Sequence, residues 1–166
     1  MKKHKIKYDI QENFLEEPMF DKFQELLFSY PFSWFWQDHK TYDDRGFFSH
    51  TFYQHYQPNS PHFEYFIVPI IRKLRCGMIG EVRANCLLKD QKHHFSKFHC
   101  DQAYDCTTAI LYMNNNNGYT LLGEKEKIKI ESEANKLVIF NSQIKHCGVS
   151  QTDTDRRVVI NFSIYN

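Results

Sequence analysis

The 166-residue sequence lacks long apolar runs and an excess of either charge. No stretch approaches the roughly 20 consecutive apolar residues that a membrane-spanning helix needs. Lys and Arg total 21 against 20 Asp and Glu, which leaves a net charge of +1. A charge this close to zero gives no global attraction to nucleic acid or to a membrane surface. We therefore expect neither of them as the partner.

The sequence is also poor in glycine and proline, and its five cysteines are an odd number. An odd count does not suit a complete disulfide framework, and the first residues lack the apolar stretch of a secretory signal. We therefore expect reduced thiols and a cytoplasmic location. Hydrophobic residues make up 42% and aromatic residues 16%, a composition typical of a globular protein. The length predicts a single domain over residues 1–166.

Residues 1–76 are predicted to be helical and rich in aromatic side chains. Apolar residues recur at helical spacing in 16–30, "EEPMFDKFQELLFSY", and in 62–75, "HFEYFIVPIIRKLR". Pro69 lies inside the second pattern and predicts a kink or a restart of the helix. The segment between the two patterns is expected to be extended chain and loops.

Residues 77–166 change to short runs that are rich in β-branched and aromatic residues and separated by turn formers. Such runs without intervening helices predict an antiparallel sandwich or barrel. The predicted fold is thus mainly β: a double-stranded β-helix, or jelly-roll, of the cupin-like kind, buttressed by the N-terminal helices. Within it, "NNNN" at 114–117 is expected to be a hairpin connection.

The stretch "KFHCDQ", residues 97–102, raises the question of a metal site. In extended chain, alternate side chains point the same way, so His99 and Asp101 share one side and Cys100 faces the other. The same alternation separates His146 from Cys147. A zinc site made by two His-Cys pairs is therefore disfavoured, and no Cys-x-x-Cys cluster supports one.

The remaining set is His99, Asp101 and one further histidine, most naturally His146. Two histidines and one carboxylate form the facial triad of non-haem Fe(II) oxygenases, which leaves metal positions open for substrates. His-x-Asp on its own is a weak signal in a chain with nine histidines.

The last apolar run, "RRVVINFSIY", supplies a second signal. Alternation places Arg157, Val159, Asn161 and Ser163 on one semi-polar face, with an entirely apolar face opposite. An arginine that points into a barrel is costly when dry and unpaired, and it becomes favourable when it binds a carboxylate.

Taken together, "HCD", "TTAILYMNNNNGYT", "KLVIFNSQIKHCG" and "DRRVVINFSIY" resemble the 2-oxoglutarate/Fe(II)-dependent dioxygenase superfamily. The order and spacing are most similar to the prolyl 4-hydroxylase-like branch and to its small viral and phage members. The resemblance covers about Glu81 to Tyr165. It implies an oxygenase, located in the host cytoplasm if the source is a virus.

The resemblance implies roles for particular residues. His99, Asp101 and His146 correspond to the iron ligands, and Arg157 to the residue that binds the distal carboxylate of 2-oxoglutarate. Arg156 is the alternative for that role, and Tyr112 matches a tyrosine that hydrogen-bonds the same carboxylate. The implied cofactors are Fe(II), 2-oxoglutarate as co-substrate and O₂, with ascorbate as an optional addition.

The implied reaction is hydroxylation of an unidentified peptide residue, such as proline, or of a small molecule, coupled to conversion of 2-oxoglutarate to succinate. The alternative is a cupin-like metal-binding protein that uses the His/Asp/His site without 2-oxoglutarate. A carboxylate clamp on the last strand distinguishes the two, because the alternative has no use for one.

Overall fold

The computed structural model describes residues 6–38 and 45–165, so part of the predicted loop, residues 39–44, lies outside the described residues. The helices are α1 (Glu17–Phe28) and α2 (Val68–Lys73), and a π-helical turn, Phe63–Ile67, leads into α2. The strands are β1 (Tyr8–Gln11), β2 (Phe35–Gln37), β3 (Phe47–Gln54), β4 (Gln57–Pro58), β5 (Met78–Leu88), β6 (Thr107–Tyr112), β7 (Asn116–Leu122), β8 (Ile128–Ser132), β9 (Leu137–Asn141), β10 (His146–Val149) and β11 (Arg156–Tyr165).

The strands form two antiparallel sheets. The major sheet has the order β1-β9-β6-β11-β5-β3-β2, with β4 paired to β3, and the minor sheet has the order β10-β7-β8. The prediction of a mainly β fold of the jelly-roll kind is confirmed at this level. The described strands do not close into a barrel, because no strand pairs across from one sheet to the other.

Apolar side chains of both sheets pack together between them. Ile110 and Tyr112 of β6 and Val159 of β11 meet Leu122 of β7 and Ile130 of β8 in one buried cluster. Because Val159 packs in this layer, the face of β11 that also carries Arg157 and Asn161 points toward the minor sheet. The opposite face of β11 joins the larger core.

The larger core lies between the major sheet and the helices. Phe20, Phe23 and Leu27 are the buried face of α1, and the ring of Phe23 stacks on Phe66 with 4.5 Å between centroids. Pro18 lies in the first turn of α1, where its missing N–H costs no hydrogen bond. The sheet side of this core includes four alternate residues of β11: Val158, Ile160, Phe162 and Ile164.

Residues 62–75 do not form one regular helix. The chain makes the π-helical turn first, and α2 then begins at Val68 with Pro69 in its first turn. The proline therefore lies where its ring and missing N–H are tolerated. None of the described helices is long and apolar enough to cross a membrane.

Two features of the fold differ from the sequence-based predictions. The N-terminal part is not only helical, since β1 pairs with β9, and β3 pairs with β5 as part of the major sheet. The hairpin predicted at 114–117 is wrong, because the chain crosses there from β6 in the major sheet to β7 in the minor sheet. The Asn114 side chain holds this crossing: it donates to the Arg156 carbonyl and accepts from the Val158 N–H.

Phe23 is expected to be the most sensitive contact of the helical layer. Phe23→Ala removes a ring that is fully buried against Phe66 and Phe52, and we expect a loss of about 3–5 kcal/mol in the free energy of unfolding. Denaturant unfolding followed by circular dichroism measures it. Tyr30→Ala, at a fully exposed position, is the control and should change the free energy little. Equal effects of the two substitutions would contradict this packing.

Candidate active site

A pair of backbone hydrogen bonds brings His99 and His146 together. The His99 N–H donates to the His146 carbonyl at 3.0 Å, and the His146 N–H donates to the His99 carbonyl at 2.9 Å. Residues that exchange both bonds in an antiparallel pair lie directly opposite, with their side chains on the same side. The centroids of the two imidazole rings accordingly lie 4.6 Å apart.

Asp101 completes a three-residue cluster. His99 Nε2 lies 3.4 Å from Asp101 Oδ1, and His146 Nε2 lies 3.5 Å from Asp101 Oδ2. One ligand atom from each of the three residues lies within 4.8 Å of the others. Neighbouring ligands of an octahedral ion are about 3 Å apart when each bond is about 2.1 Å, so small inward shifts would suit a metal.

Hydrogen bonds on the far side of each histidine orient its ring. His99 Nδ1 lies 2.9 Å from the Lys97 carbonyl, and His146 Nδ1 lies 3.4 Å from the Ile144 carbonyl. A carbonyl only accepts, so Nδ1 carries the proton that each bond needs, and Nε2 is the atom left to bind a metal. Metal binding requires Nε2 to carry no proton.

The Asp101 carboxyl is held in its ionised form. Burial alone raises its pKa, but hydrogen bonds and charge from His146 and His99 outweigh burial, so the pKa lies well below the ordinary value. Asn161 also donates from Nδ2 to Asp101 Oδ2 at 3.4 Å. A carboxylate together with two imidazole side chains is a suitable donor set for a divalent metal.

The cysteines of the two His-Cys pairs stand apart from this cluster. The Cys147 thiol donates to the Ser96 carbonyl and packs with Leu121 and Val149. Cys100 is half-buried and is not one of the clustered ligands. Among the described residues, His99, Asp101 and His146 are the one set of three or more candidate ligands placed to hold an ion.

The cluster lines a cavity of about 420 Å³ that we name the main cavity. It lies between the sheets, with walls from β5, β6 and β11 on one side and from β7 and β10 on the other. Its lining includes Asn85, Leu87, Ile110, Thr120, Arg157, Val159 and Asn161. A volume of this size suits a small co-substrate together with part of a second molecule.

Arg157 extends from the major sheet into this cavity and is only 3% exposed. Its Nε donates to the Ser132 hydroxyl at 2.9 Å, and its Nη2 donates to the Thr120 hydroxyl at 3.3 Å. Among the described residues, no carboxylate lies within ion-pair distance of it, and burial lowers the pKa of its guanidinium. A buried cation without an anion is costly, so this position favours a ligand that brings a carboxylate.

Gly118 allows the stem of Arg157 to lie where it does. A Cβ at residue 118 would be 2.8 Å from Arg157 Cδ and 2.9 Å from the Val149 carbonyl oxygen. Any larger residue would push the guanidinium away from Thr120 or displace the backbone of β10. The glycine before Tyr119 is therefore a packing requirement of the arginine.

Arg156 faces the other way, as alternation predicts. Its guanidinium lies over the ring of Phe28, 4.8 Å from the centroid, and donates to the Phe28 carbonyl. Of the two adjacent arginines, the structure thus directs Arg157 into the cavity and Arg156 onto the end of α1. The binding of a carboxylate by Arg157 stays a prediction.

Tyr112 is fully buried behind the cavity wall. Its hydroxyl donates to Thr120 Oγ1 at 2.8 Å, and its ring lies 5.7 Å from the Arg157 guanidinium. Thr120 lines the cavity, whereas Tyr112 is not part of the lining. Tyr112 therefore contacts the cavity through Thr120. The direct hydrogen bond from Tyr112 to a bound carboxylate, which the resemblance implies, would require Thr120 to move.

Two asparagines of the cavity wall were not among the site residues named from the sequence. Asn85 on β5 lines the cavity, and its Oδ1 is buried without a hydrogen-bond partner among the described residues. Asn161 Oδ1 is in the same state. The available signal was the pairing of β5 with β11, in which Asn85 lies opposite Val159, and a single sequence does not give that register.

Known proteins resemble this chain in structure but not in sequence. No protein-family model and no curated protein sequence matches the chain. A 2OG-Fe(II) oxygenase family oxidoreductase from Burkholderia pseudomallei is similar in structure, with a TM-score of 0.74 at 12% identity over 95% of this chain and 85% of that one. This chain has a 2-oxoglutarate/Fe(II) oxygenase fold.

Two prolyl hydroxylases share the fold. A Pseudomonas putida prolyl-4-hydroxylase has a TM-score of 0.69 at 14% identity over 97% of this chain and 94% of that one. A Trichoplax adhaerens prolyl hydroxylase, solved with a hypoxia inducible factor peptide fragment, has a TM-score of 0.68 at 17% identity over 95% and 83%. The identities are low, so these likenesses concern the fold.

The predicted metal ligands can be tested by direct binding. His99→Ala, Asp101→Ala and His146→Ala should each weaken Mn(II) binding more than about 100-fold, because each removes one of three donors. Electron paramagnetic resonance of free Mn(II) measures the affinity. His93→Ala, an exposed histidine, and Cys100→Ser are the controls and should bind as the wild type does. Wild-type affinity in Asp101→Ala would contradict the site.

Arg157 should cost stability until it binds an anion. Arg157→Met replaces a buried, unpaired cation with an apolar side chain, so we expect the free energy of unfolding without ligand to stay equal or to rise by about 1 kcal/mol. Thermal and urea unfolding measure it. The matched control, Arg156→Met, loses a contact with Phe28 and should not stabilise. A large loss of stability in Arg157→Met would show that the arginine is structural.

Proposed function

We propose that this protein is an Fe(II)- and 2-oxoglutarate-dependent dioxygenase that hydroxylates a peptide residue, such as proline, or a small molecule. The observation that carries the proposal is the buried Arg157 guanidinium, which has no carboxylate partner among the described residues and lies in the same cavity as the His99, Asp101 and His146 cluster. A metal site by itself would explain the cluster but not Arg157. A dicarboxylate that binds the metal at one end and Arg157 at the other would explain both features.

His99, Asp101 and His146 would hold the iron through Nε2, a carboxylate oxygen and Nε2. The bound Fe(II), 2-oxoglutarate and O₂ would supply oxidative decarboxylation to succinate and CO₂, coupled to hydroxylation of the substrate. Asn161 restrains the Asp101 carboxylate through its Nδ2, and the carbonyls of Lys97 and Ile144 fix the histidine tautomers.

Arg157 would bind the distal carboxylate of 2-oxoglutarate. Its planar fork suits a carboxylate, and Ser132 and Thr120 already hold the guanidinium in place. Tyr112 supports Thr120 from behind. Ile110, Leu87 and Val159 give the cavity apolar walls that limit water around the ion pair.

The cupin-like alternative, a metal site without 2-oxoglutarate, leaves Arg157 unexplained. Such a protein gains nothing from a guanidinium buried beside its metal, whereas an oxygenase uses it in every turnover. The prolyl-hydroxylase-like reaction is favoured by the resemblance of the motifs and by the shared fold. The optional use of ascorbate and the viral relationship rest on the resemblance of the motifs alone.

Anaerobic spectroscopy tests the proposed function. Fe(II) and 2-oxoglutarate added together should give a weak visible charge-transfer band, and admission of air should release succinate slowly without substrate. His99→Ala should give no band because the metal is lost. Arg157→Met should give it only at higher 2-oxoglutarate, while Arg156→Met should match the wild type. No band in the wild type, or an unchanged band in His99→Ala, would overturn the proposal.

A further inference from the structure

A second cavity of about 240 Å³ lies at the N-terminal part of β5, with Met78, Ile79, Gly80 and Glu81 in its wall. On the shared face of this strand, Asn85 lines the main cavity and Glu81 lines the second. Of two consecutive residues, Asp101 lines the main cavity and Gln102 lines the second. The linings of the two cavities therefore come next to each other along the chain at Asp101 and Gln102.

The wall of the second cavity is aromatic with one acid. Tyr56, Tyr104 and Tyr165 contribute rings, and Tyr104 and Tyr165 stack with 5.7 Å between centroids. Of the described residues that line it, Glu81 is the one with a full charge at neutral pH. Aromatic faces together with a carboxylate attract cations and offer nothing to a phosphate.

Glu81 is only loosely engaged by its neighbours. Its carboxylate lies 3.3 Å from Arg83 Nη2, 3.4 Å from Gln54 Nε2 and 3.3 Å from Gln102 Nε2. Charge-assisted hydrogen bonds are usually about 2.7–2.9 Å long, and a carboxylate offers about four acceptor sites. Arg83 offsets part of the charge, yet the carboxylate keeps capacity for shorter bonds from a ligand.

The turn at the rim of this cavity is strained. His55 and Tyr56 form the two-residue loop between β3 and β4, with φ of 55° and 62°. This left-handed conformation in both positions favours Asn-Gly, and bulky residues there cost stability. Tyr56 is also largely exposed beside the cavity. Strain that is retained to display two aromatic rings at a cavity rim suits a binding role.

We propose that the second cavity binds a cationic nitrogen of the substrate, an alkylammonium or a guanidinium group, between the tyrosine rings and the Glu81 carboxylate. The assignment rests on the proposed function and narrows its substrate to a basic compound that is oxidised at a carbon some distance from its cation. A basic side chain of a peptide and a free amine or guanidine present the same group.

Two further observations agree with a substrate that is rich in hydrogen-bond donors. The buried amide oxygens of Asn85 and Asn161, on the main-cavity side, lack partners and would accept from N–H groups. The pKa of Tyr104 is raised to about 12, first by burial and then by Tyr165, with the charges of Cys106 and Glu81 adding to it. The Tyr104 hydroxyl therefore stays protonated at neutral pH, and the side chain offers a ligand a neutral aromatic ring.

A charge-matched pair of probes tests the second cavity without iron. Butylguanidinium and uncharged butylurea have the same shape, and calorimetry on the whole chain should show at least about tenfold tighter binding of butylguanidinium. Glu81→Gln and Tyr104→Leu should each abolish this preference. Tyr104→Phe, which keeps the ring, and Glu131→Gln, an exposed acid on β8, should retain it.

A variant of the strained turn tests whether His55 and Tyr56 are retained for binding at the expense of stability. Replacing His55→Asn and Tyr56→Gly together should raise the melting temperature and weaken butylguanidinium binding. Equal affinity for the two probes, or an unchanged preference in Glu81→Gln and Tyr104→Leu, would overturn the cation site. Since iron is not needed, the cation site can fail while the charge-transfer band appears, and the oxygenase can fail while the probe binds.

Discussion

The buried guanidinium of Arg157 is the constraint on which the rest of the site depends. A cation removed from water costs several kcal/mol unless it is paired, and the described residues supply only the hydroxyls of Ser132 and Thr120. Gly118 is small because the arginine stem lies against it, and Tyr112 is anchored to Thr120 beside it. Neighbouring positions are thus fixed by a charge that the fold itself does not neutralise.

One face of the major sheet carries several of the residues that the proposed chemistry uses. β11 carries Arg157 and Asn161 toward the minor sheet, and the His99–His146 backbone pair places both imidazoles beside Asp101. β5 runs alongside and carries Asn85 into the main cavity and Glu81 into the second. One pair of adjacent strands, β5 and β11, therefore carries Arg157 for the proposed carboxylate site and Glu81 for the proposed cation site, on the face that also carries Asn85 and Asn161.

Much of this could be predicted where alternation along one strand decides the answer. Alternation separated Cys100 from His99 and Asp101, directed Arg157 inward and Arg156 outward, and identified the apolar face of β11. Alternation did not predict the features that depend on pairing between segments far apart in the sequence. The strand character of His146–Val149, the crossing at Asn114 and the inward position of Asn85 all depend on partners distant in sequence. The second cavity likewise combines residues from four separate segments.

The most direct test of the account is nuclear magnetic resonance of the Arg157 side chain during a titration. The resonance of Arg157 Nε–Hε, assigned by its loss in Arg157→Met, should shift and exchange more slowly with water when 2-oxoglutarate is added to the metal-loaded protein under anaerobic conditions. 2-Oxobutyrate, which has the keto acid but no distal carboxylate, should leave it in place. An Arg157 resonance that ignores 2-oxoglutarate, or responds equally to both acids, would contradict the central claim.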